Sequence, residues 1–240
     1  MNEKKINISV FFPAYNDEGT IASLIVKSIL TLNSCDKVDK YEIIVVDDAS
    51  PDNLNNIVDF FCKMYPDTVR LVRHSENRGY GGALISGFKQ ARYDHVFYTD
   101  GDGQYDVCEM KLLIDKAFEY DLVNGYKIKR HDPIHRIIIG YLYNLFVKIV
   151  FNIKLRDVDC DFRLLKKSIF DKIELHYTSG VICVELIKKI EMSGFKIAEV
   201  PVHHYFRALG HSQFFNFTRL FKVFITLIKL WFEIFIDKTR

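Results

Sequence analysis

His95–Asp106 reads HVFYTDGDGQYD: a short β-branched and aromatic run that passes directly into Asp100-Gly101-Asp102-Gly103-Gln104. Such a run, bounded by a glycine-rich acidic turn, reads as a buried strand carrying polar groups to the end of a sheet. Outward from it, apolar runs alternate with helical spacing. Upstream, strands are expected at Ile6–Phe12, Tyr41–Val46 and Val69–Arg73, and helices at Glu18–Leu32, Asn53–Met64 and Tyr80–Ala91. Downstream, a helix is expected at Val107–Glu119 and a fifth strand from Asp121 to Asn124. Strands alternating with helices imply βαβ units, hence an α/β fold whose mostly parallel sheet is covered on both faces.

The pattern changes after residue 126. KIKRHDP (127–133) reads as a polar, basic loop, Ile134–Phe151 as a long apolar helix, and Lys154–Asp161 as a charged loop. Thr178–Met192 reads as a helix, Phe195–Val202 as a strand, and Phe217–Ile236 as an apolar stretch with sparse charges. The expected organisation is one catalytic domain over 1–212, made of a 1–126 half and a 127–212 half, followed by a 213–240 tail.

The chain has 240 residues, 49% of them hydrophobic and 27% charged, which excludes a disordered chain. A net charge of +2 offers no bulk attraction for nucleic acid, and no nucleic-acid partner is expected. Five scattered cysteines without a CxxC pair favour reduced thiols in the cytoplasm over a disulfide framework or a zinc site. The polar start MNEKK runs directly into a strand, so no signal peptide is read there.

Ligands of open α/β sheets bind at the carboxyl ends of the strands. Three polar clusters fall at such ends: Pro13-Ala14-Tyr15-Asn16-Asp17-Glu18, Asp47-Asp48-Ala49-Ser50-Pro51-Asp52, and Asp100 to Gln104. No GxGxxG follows the first strand, which argues against a dinucleotide. In an extended strand exit Asp100 and Asp102 point the same way, and two carboxylates aimed together repel unless a cation lies between them or one is protonated. With Gln104 they offer three oxygen donors, the kind preferred by Mg2+ or Mn2+. A lone DxD reads equally well as a solvated acidic turn.

IIVVDDASPDN (43–53), NRGYGGALISGFKQA (77–91) and DGDGQYD (100–106) together resemble family 2 glycosyltransferases of the GT-A fold, nearest the dolichyl- or polyprenyl-phosphate sugar transferases. The resemblance runs from about Ile8 to about Gln213. It implies nucleotide-sugar binding by Pro13, Tyr15, Asn16 and Glu18, with Asp17 standing where the family's usual Glu would be. It implies base contacts for Asp47 and Asp48, a donor-side loop at Arg78, Gly79 and Gly82, and a metal site at Asp100, Asp102 and Gln104. Physically, a cation would neutralise the leaving diphosphate, and glycines at a helix start let backbone amides approach an anion.

Further along, Arg156-Asp157-Val158-Asp159-Cys160-Asp161-Phe162-Arg163 resembles the family's D-x-x-x-G-F-R segment, with Asp161 at the usual Gly. The resemblance makes Asp157 and Arg163 catalytic candidates beside Asp102. Glu185 matches a Glu behind the site, or simply braces loops. Glu199-Val200-Pro201-Val202 and Arg207 to Ser212 resemble the family's EVP strand and RxxGxS loop, with Arg207 and Ser212 suited to anions. Lys127, Lys129, Arg130 and Arg136 form a basic rim, read either as a solvated loop or as a phosphate- and lipid-binding edge.

Arg219, Lys222, Thr226, Lys229, Glu233 and Asp237 recur at helical spacing; at ~100° per residue they form one stripe about 80° wide. A narrow polar stripe on an apolar helix fits one lying in a membrane interface, since mid-helix cations disfavour a span. The same helix could pack on the protein or in a dimer.

The expected enzyme is therefore an inverting, metal-dependent hexosyltransferase at the cytoplasmic face of a membrane. It would use a GDP- or UDP-sugar and a polyprenyl phosphate, and a homo-oligomer or a membrane-protein partner is compatible with the tail. The alternative is the same fold acting on a sugar hydroxyl, which needs a stronger base.

Overall fold

Ile6–Ala14 (β1) is buried at every position except Asn7, as a strand paired on both sides and covered on both faces must be. In the computed structural model, which describes residues 4–130, 134–207 and 217–236, β1 pairs in parallel with Val38–Asp47 (β2) and His95–Thr99 (β4). With Val69–Arg73 (β3), Leu122–Arg130 (β5), Phe162–Lys166 (β6) and Ile197–His204 (β7), the sheet order is β3-β2-β1-β4-β6-β5-β7. All pairings are parallel except those of β6, which runs antiparallel to both β4 and β5.

The two-residue period of β1 divides the core. Val10, Phe12 and Ala14 face a layer built on Glu18–Asn33 (α1), Leu54–Met64 (α2) and Met110–Ile114 (α4). Phe11 faces the opposite layer, built on Gly79–Gln90 (α3), Ile134–Phe151 (α5), Ile182–Met192 (α6) and Phe217–Phe235 (α7). Each fully buried Ile, Leu or Phe contributes ~1.5–3 kcal/mol, so both layers hold the sheet. At the amino edge the buried Glu42 carboxylate accepts from Ser9 Oγ at 2.7 Å, Arg92 N at 2.7 Å and Arg70 Nε at 2.9 Å, which satisfies it.

The structure corrects several expected elements. β6 falls where no strand is expected, because FRLLK is short and carries Arg163 at its second position. Lys127–Arg130, expected in a loop, extends β5 and pairs with Val202–His204 of β7, so their backbone groups are bonded while the chain stays polar. The expected helix Val107–Glu119 is a 3-10 turn at Val107–Glu109, then α4, then turns whose N–H groups donate to i−3 or i−4 carbonyls, Ala117 N to both. Its apolar face is nonetheless buried through Val107, Met110, Leu113, Ile114 and Ala117.

α7 lies on α5 and α6 through Leu227, Leu230 and Ile234, and Trp231 Nε1 donates to Val150 O at 3.2 Å. Its outer side exposes Phe224, Ile225, Ile228 and Phe232, and α5 beside it exposes Ile138, Tyr141, Leu142 and Ile149. Among the described residues no helix is long and apolar enough to cross a membrane.

Candidate active site

Because β6 is antiparallel, its first residue lies at the same sheet edge as the last residues of β1, β2 and β4. Four loops meet there: 13–18, 47–52, 100–104 and 157–161. The first two are locked together. Asn16 and Ala49 take φ values of 59° and 58°, in the left-handed region that non-glycine residues rarely adopt. Asn16 N donates to Ser50 Oγ at 2.8 Å, and Ser50 N to Asp47 Oδ1 at 2.7 Å, bonds that hold both turns.

Asp47 is fully buried; its Oδ2 makes no hydrogen bond and lies 3.4 Å from Arg73 Nε. Asp48 serves the start of α3: its carboxylate accepts from Arg78 N at 2.8 Å and Gly79 N at 2.9 Å, and Oδ1 lies 2.6 Å from His74 Nδ1. The anion received by this helix N-terminus is thus the chain's own Asp48. Gly79, at φ 79°, leaves no room for a Cβ, which would meet Thr178 O at 2.6 Å, and Gly81 N donates to that carbonyl at 2.8 Å. A Cβ at Gly82 would meet Arg78 Cβ at 2.6 Å.

After β1, the Pro13 carbonyl accepts from Gly101 N at 3.2 Å, and Tyr15 stands exposed at the mouth. Glu18 faces away from the acidic turn, its Oε2 accepting from Asn53 N at 2.7 Å and tying the start of α1 to that of α2. Its neighbour Asp17 is the acid turned inward, accepting from Tyr15 N at 3.0 Å and from Arg207 Nη2 at 3.1 Å. Burial raises the Asp17 carboxyl to about 6; Asp102 and Asp52 add to the rise, while the Tyr15 N–H and Arg207 oppose it.

The acidic turn is packed against these groups. Gly101 abuts Pro13 O and Asp17, and a Cβ there would lie 2.9 Å from the former. Asp100 accepts from the Tyr80 hydroxyl at 2.7 Å. Burial, then the charges of Asp161 and Asp102, push its carboxyl well above the ordinary range. Asp102 Oδ1 accepts from Gln104 N at 3.0 Å, and its Oδ2 lies 3.6 Å from Arg207 Nη1. Gln104 donates from Nε2 to Tyr205 O at 3.0 Å, leaving its amide oxygen as the donor it would offer a metal.

On the β6 side, Asp157 accepts from Lys127 N at 3.3 Å and Asp159 N at 3.2 Å and pairs with Lys127 Nζ at 3.6 Å. Asp159 beside it has its carboxyl raised to about 7 by burial, with Asp161 and Asp157 adding to the rise and Lys127 and Arg163 opposing it. Arg163 is fully buried. It donates to Asn124 Oδ1 at 2.6 Å, to Asp161 Oδ1 at 2.8 Å, to the Tyr98 hydroxyl and to Val158 O. It therefore bears on the crevice through Asp161. Glu185, also fully buried, accepts from His176 N and Tyr177 N and braces that loop. Arg136 lies on α5 with its side chain outside the description, and Ser212 lies outside the described residues.

The crevice thus gathers Asp17, Asp100, Asp102 and Asp161, with Gln104 and Arg207 at its rim. Asp17, which stands where the family's usual Glu would be, takes the inward place expected of Glu18, and Asp161, an acid where the family pattern has glycine, is a site residue the sequence did not assign. Among the described residues no three His, Cys, Asp or Glu side chains converge as a ready-made metal cage. The donor set suits a divalent cation held by one or two carboxylates and completed by substrate phosphates and water, as Mg2+ usually is. Burial, with the charges of Asp161 and Asp102, raises the Asp100 carboxyl, and a cation bound there would oppose that rise.

The family model described as Glycosyl transferase family 2 matches residues 9–174. The chain belongs to this family. Among relatives of this family 2 chain is undecaprenyl-phosphate 4-deoxy-4-formamido-L-arabinose transferase of Shewanella sediminis, 30% identical over 238 residues, which are 97% of this chain and 66% of that protein. Glycosyltransferase AglD of Haloferax volcanii is 28% identical over 205 residues, covering 82% of this chain and 33% of that protein. The chain thus spans less than two thirds of either relative's length. Glucosyl-3-phosphoglycerate synthase of Mycobacterium tuberculosis, crystallised with Mn2+, UDP and its product, superposes with a TM-score of 0.69 at 18% identity, over 95% of this chain and 79% of that one. At that identity the likeness shows the fold, which is the GT-A fold expected from the motifs.

Proposed function

We propose that the chain transfers a sugar from a nucleotide-diphosphate donor to a polyprenyl phosphate at the cytoplasmic face of a membrane, inverting the anomeric carbon, with Mg2+ or Mn2+ in the donor site. The observation that carries this reading is the convergence of Asp17, Asp100, Asp102 and Asp161 at the sheet edge where a donor diphosphate would lie. A cation held by Asp100 and Asp102 would neutralise the charge that develops on the departing diphosphate. Arg207, at the rim beside Asp102, is positioned to turn toward the same phosphates. Tyr80 orients Asp100 through its hydroxyl, and Asp48 orders the start of α3 beside the nucleotide turn. An acceptor phosphate oxygen attacks the anomeric carbon from the side opposite the diphosphate; that bond forms as the carbon–diphosphate oxygen bond breaks. A phosphate is ionised near neutral pH, so positioning matters more than a strong base.

The acceptor class is supported by the relative named for undecaprenyl phosphate and by the adjoining apolar faces of α5 and α7, too extensive to leave in water without a partner. Exposed Lys222 and Lys229 suit anionic headgroups. The second reading, transfer to a sugar hydroxyl, needs a stronger base, for which the carboxylates of the 157–161 loop beside the crevice are the candidates. The test is release of nucleoside diphosphate from UDP- and GDP-sugars with Mn2+, in the presence of either a polyprenyl phosphate or a soluble oligosaccharide. Release that requires the lipid phosphate and stops with chelator is expected. Release that requires the oligosaccharide would move the second reading ahead.

A further inference from the structure

The antiparallel ladder of β4 and β6 ends at Thr99 and Phe162, so Asp100 and Asp161 are the next residue beyond it on either strand. Their charges act on one another, and two like charges brought together need support. Arg163 provides it from inside the sheet. Asp161 Oδ1 takes Arg163 Nη1 at 2.8 Å, Cys183 Sγ at 3.1 Å and the Tyr98 hydroxyl at 3.5 Å. Among the described residues Asp161 Oδ2 has no hydrogen-bond partner, and the side chain is 14% exposed, enough to reach the crevice. One oxygen is therefore clamped by a fully buried guanidinium, and the other is left without a protein partner on a side chain that keeps some exposure.

We infer that Asp161 is a specificity-determining residue of the donor site, whose Oδ2 accepts hydrogen bonds from hydroxyl or N–H groups of the transferred sugar and excludes sugars bearing a carboxylate. The inference rests on the glycosyl-transfer reading above. If a cation held by Asp100 and Asp102 binds the diphosphate, Asp161, whose charge acts on Asp100, is a polar group within reach of the attached sugar. Asp159 precedes it by two residues in the same loop. The cations around the crevice are already paired with its acids or buried: Arg163 in its four buried bonds, Lys127 with Asp157 and the Asp159 carbonyl, and Arg207 with Asp17 and Asp102. A neutral sugar rich in hydroxyls satisfies the presented oxygen. A uronic acid would bring a further negative charge onto this floor, where like charges disfavour one another strongly.

The protein is assayed with matched donors that differ only at C6, UDP-glucose against UDP-glucuronate and GDP-mannose against GDP-mannuronate, while affinity for UDP and GDP with Mn2+ is measured by calorimetry. The wild type is expected to favour the neutral donor by on the order of 100-fold in kcat/KM, as polar sites discriminate. Asp161→Gly should reduce that preference to about tenfold or less; the preference is a ratio between matched donors, so any effect on nucleoside diphosphate affinity common to both cancels. If D161G does not fold, Asp161→Asn, which keeps the shape and removes the charge, should relax the exclusion in the same direction. A wild type that uses both donors of a pair equally overturns the inference, as do variants that lose nucleoside diphosphate affinity and both donors in parallel. A wild type that binds neither nucleotide nor nucleotide sugar overturns the glycosyl-transfer reading itself.

Discussion

Arg207 and Asp102 form an ion pair at 3.6 Å, so the segment after β7 holds one of the two carboxylates of the acidic turn. The same guanidinium donates to Asp17 at 3.1 Å, and Tyr205 exchanges backbone and amide bonds with Gln104. Arg207 thus supplies part of the positive charge that a divalent ion would bring, and the two should compete for Asp102. Arg207→Ala should bind Mn2+ more tightly in the absence of nucleotide, on the order of tenfold for one charge-assisted contact of ~1.5 kcal/mol. It should bind nucleoside diphosphate more weakly once Mn2+ is present. Calorimetric titrations of both ligands check this, and unchanged Mn2+ affinity would exclude the competition.

Arg163 is a buried cation whose removal leaves Asp161 uncompensated among Tyr98, Cys183 and Asp100. Arg163→Met should destabilise the fold by about 3–5 kcal/mol, as loss of one partner of a buried pair does. Urea unfolding measures it; a loss below about 1 kcal/mol, the scale of an exposed pair, would show that Asp161 does not depend on the guanidinium.

Asp159 gives a pH dependence with a definite sign. Its folded carboxyl lies at about 7, above the ordinary value of 3.8. A carboxylate raised on folding contributes stability that is present below the unfolded pKa and lost as pH rises through the folded one. Without metal or substrate, Asp159→Asn should therefore gain stability relative to wild type as pH rises from about 4 to about 7, with the difference constant above that. Urea unfolding of both proteins across this range checks it; a pH-independent difference would show that the carboxyl titrates normally.

The proposed membrane contact through the exposed faces of α5 and α7 can be tested without disturbing the core. Removing residues 213–240 would uncover the partners of Leu227 and Leu230, whereas Ile149 is 71% exposed and Phe232 50% exposed. Ile149→Glu and Phe232→Glu together should release the protein from anionic vesicles in sedimentation, with the melting temperature shifted by no more than about 2 °C, as for surface changes. Retention on vesicles would point to a different surface.

How far the sequence discloses the fold depends on where local pattern and sheet context agree. β1, β2 and β4 are apolar runs bounded by turns, and they read correctly because burial on both faces imposes that composition. β6 does not, since Arg163 breaks the apolar pattern and becomes acceptable only when Asn124, Tyr98 and Asp161 surround it. The site divides in the same way. Asp100 and Asp102 are legible as alternate residues at a strand exit. Asp161 is not, because it comes to the end of the sheet beside the acidic turn only once β6 is antiparallel to β4. Between Asp17 and Glu18, the left-handed turn at Asn16 decides which acid faces inward, and sequence does not show that φ.

The account is tested most directly by the product itself. The purified protein is incubated with Mn2+, the donor it turns over and a polyprenyl phosphate, and the lipid product is identified by mass and the anomeric configuration by NMR. A polyprenyl-phosphate monosaccharide with the configuration opposite to that of the donor, absent when chelator is added and absent with Asp102→Asn, is the predicted result. A product of retained configuration, a sugar linked to a hydroxyl, or full turnover in excess chelator would contradict it.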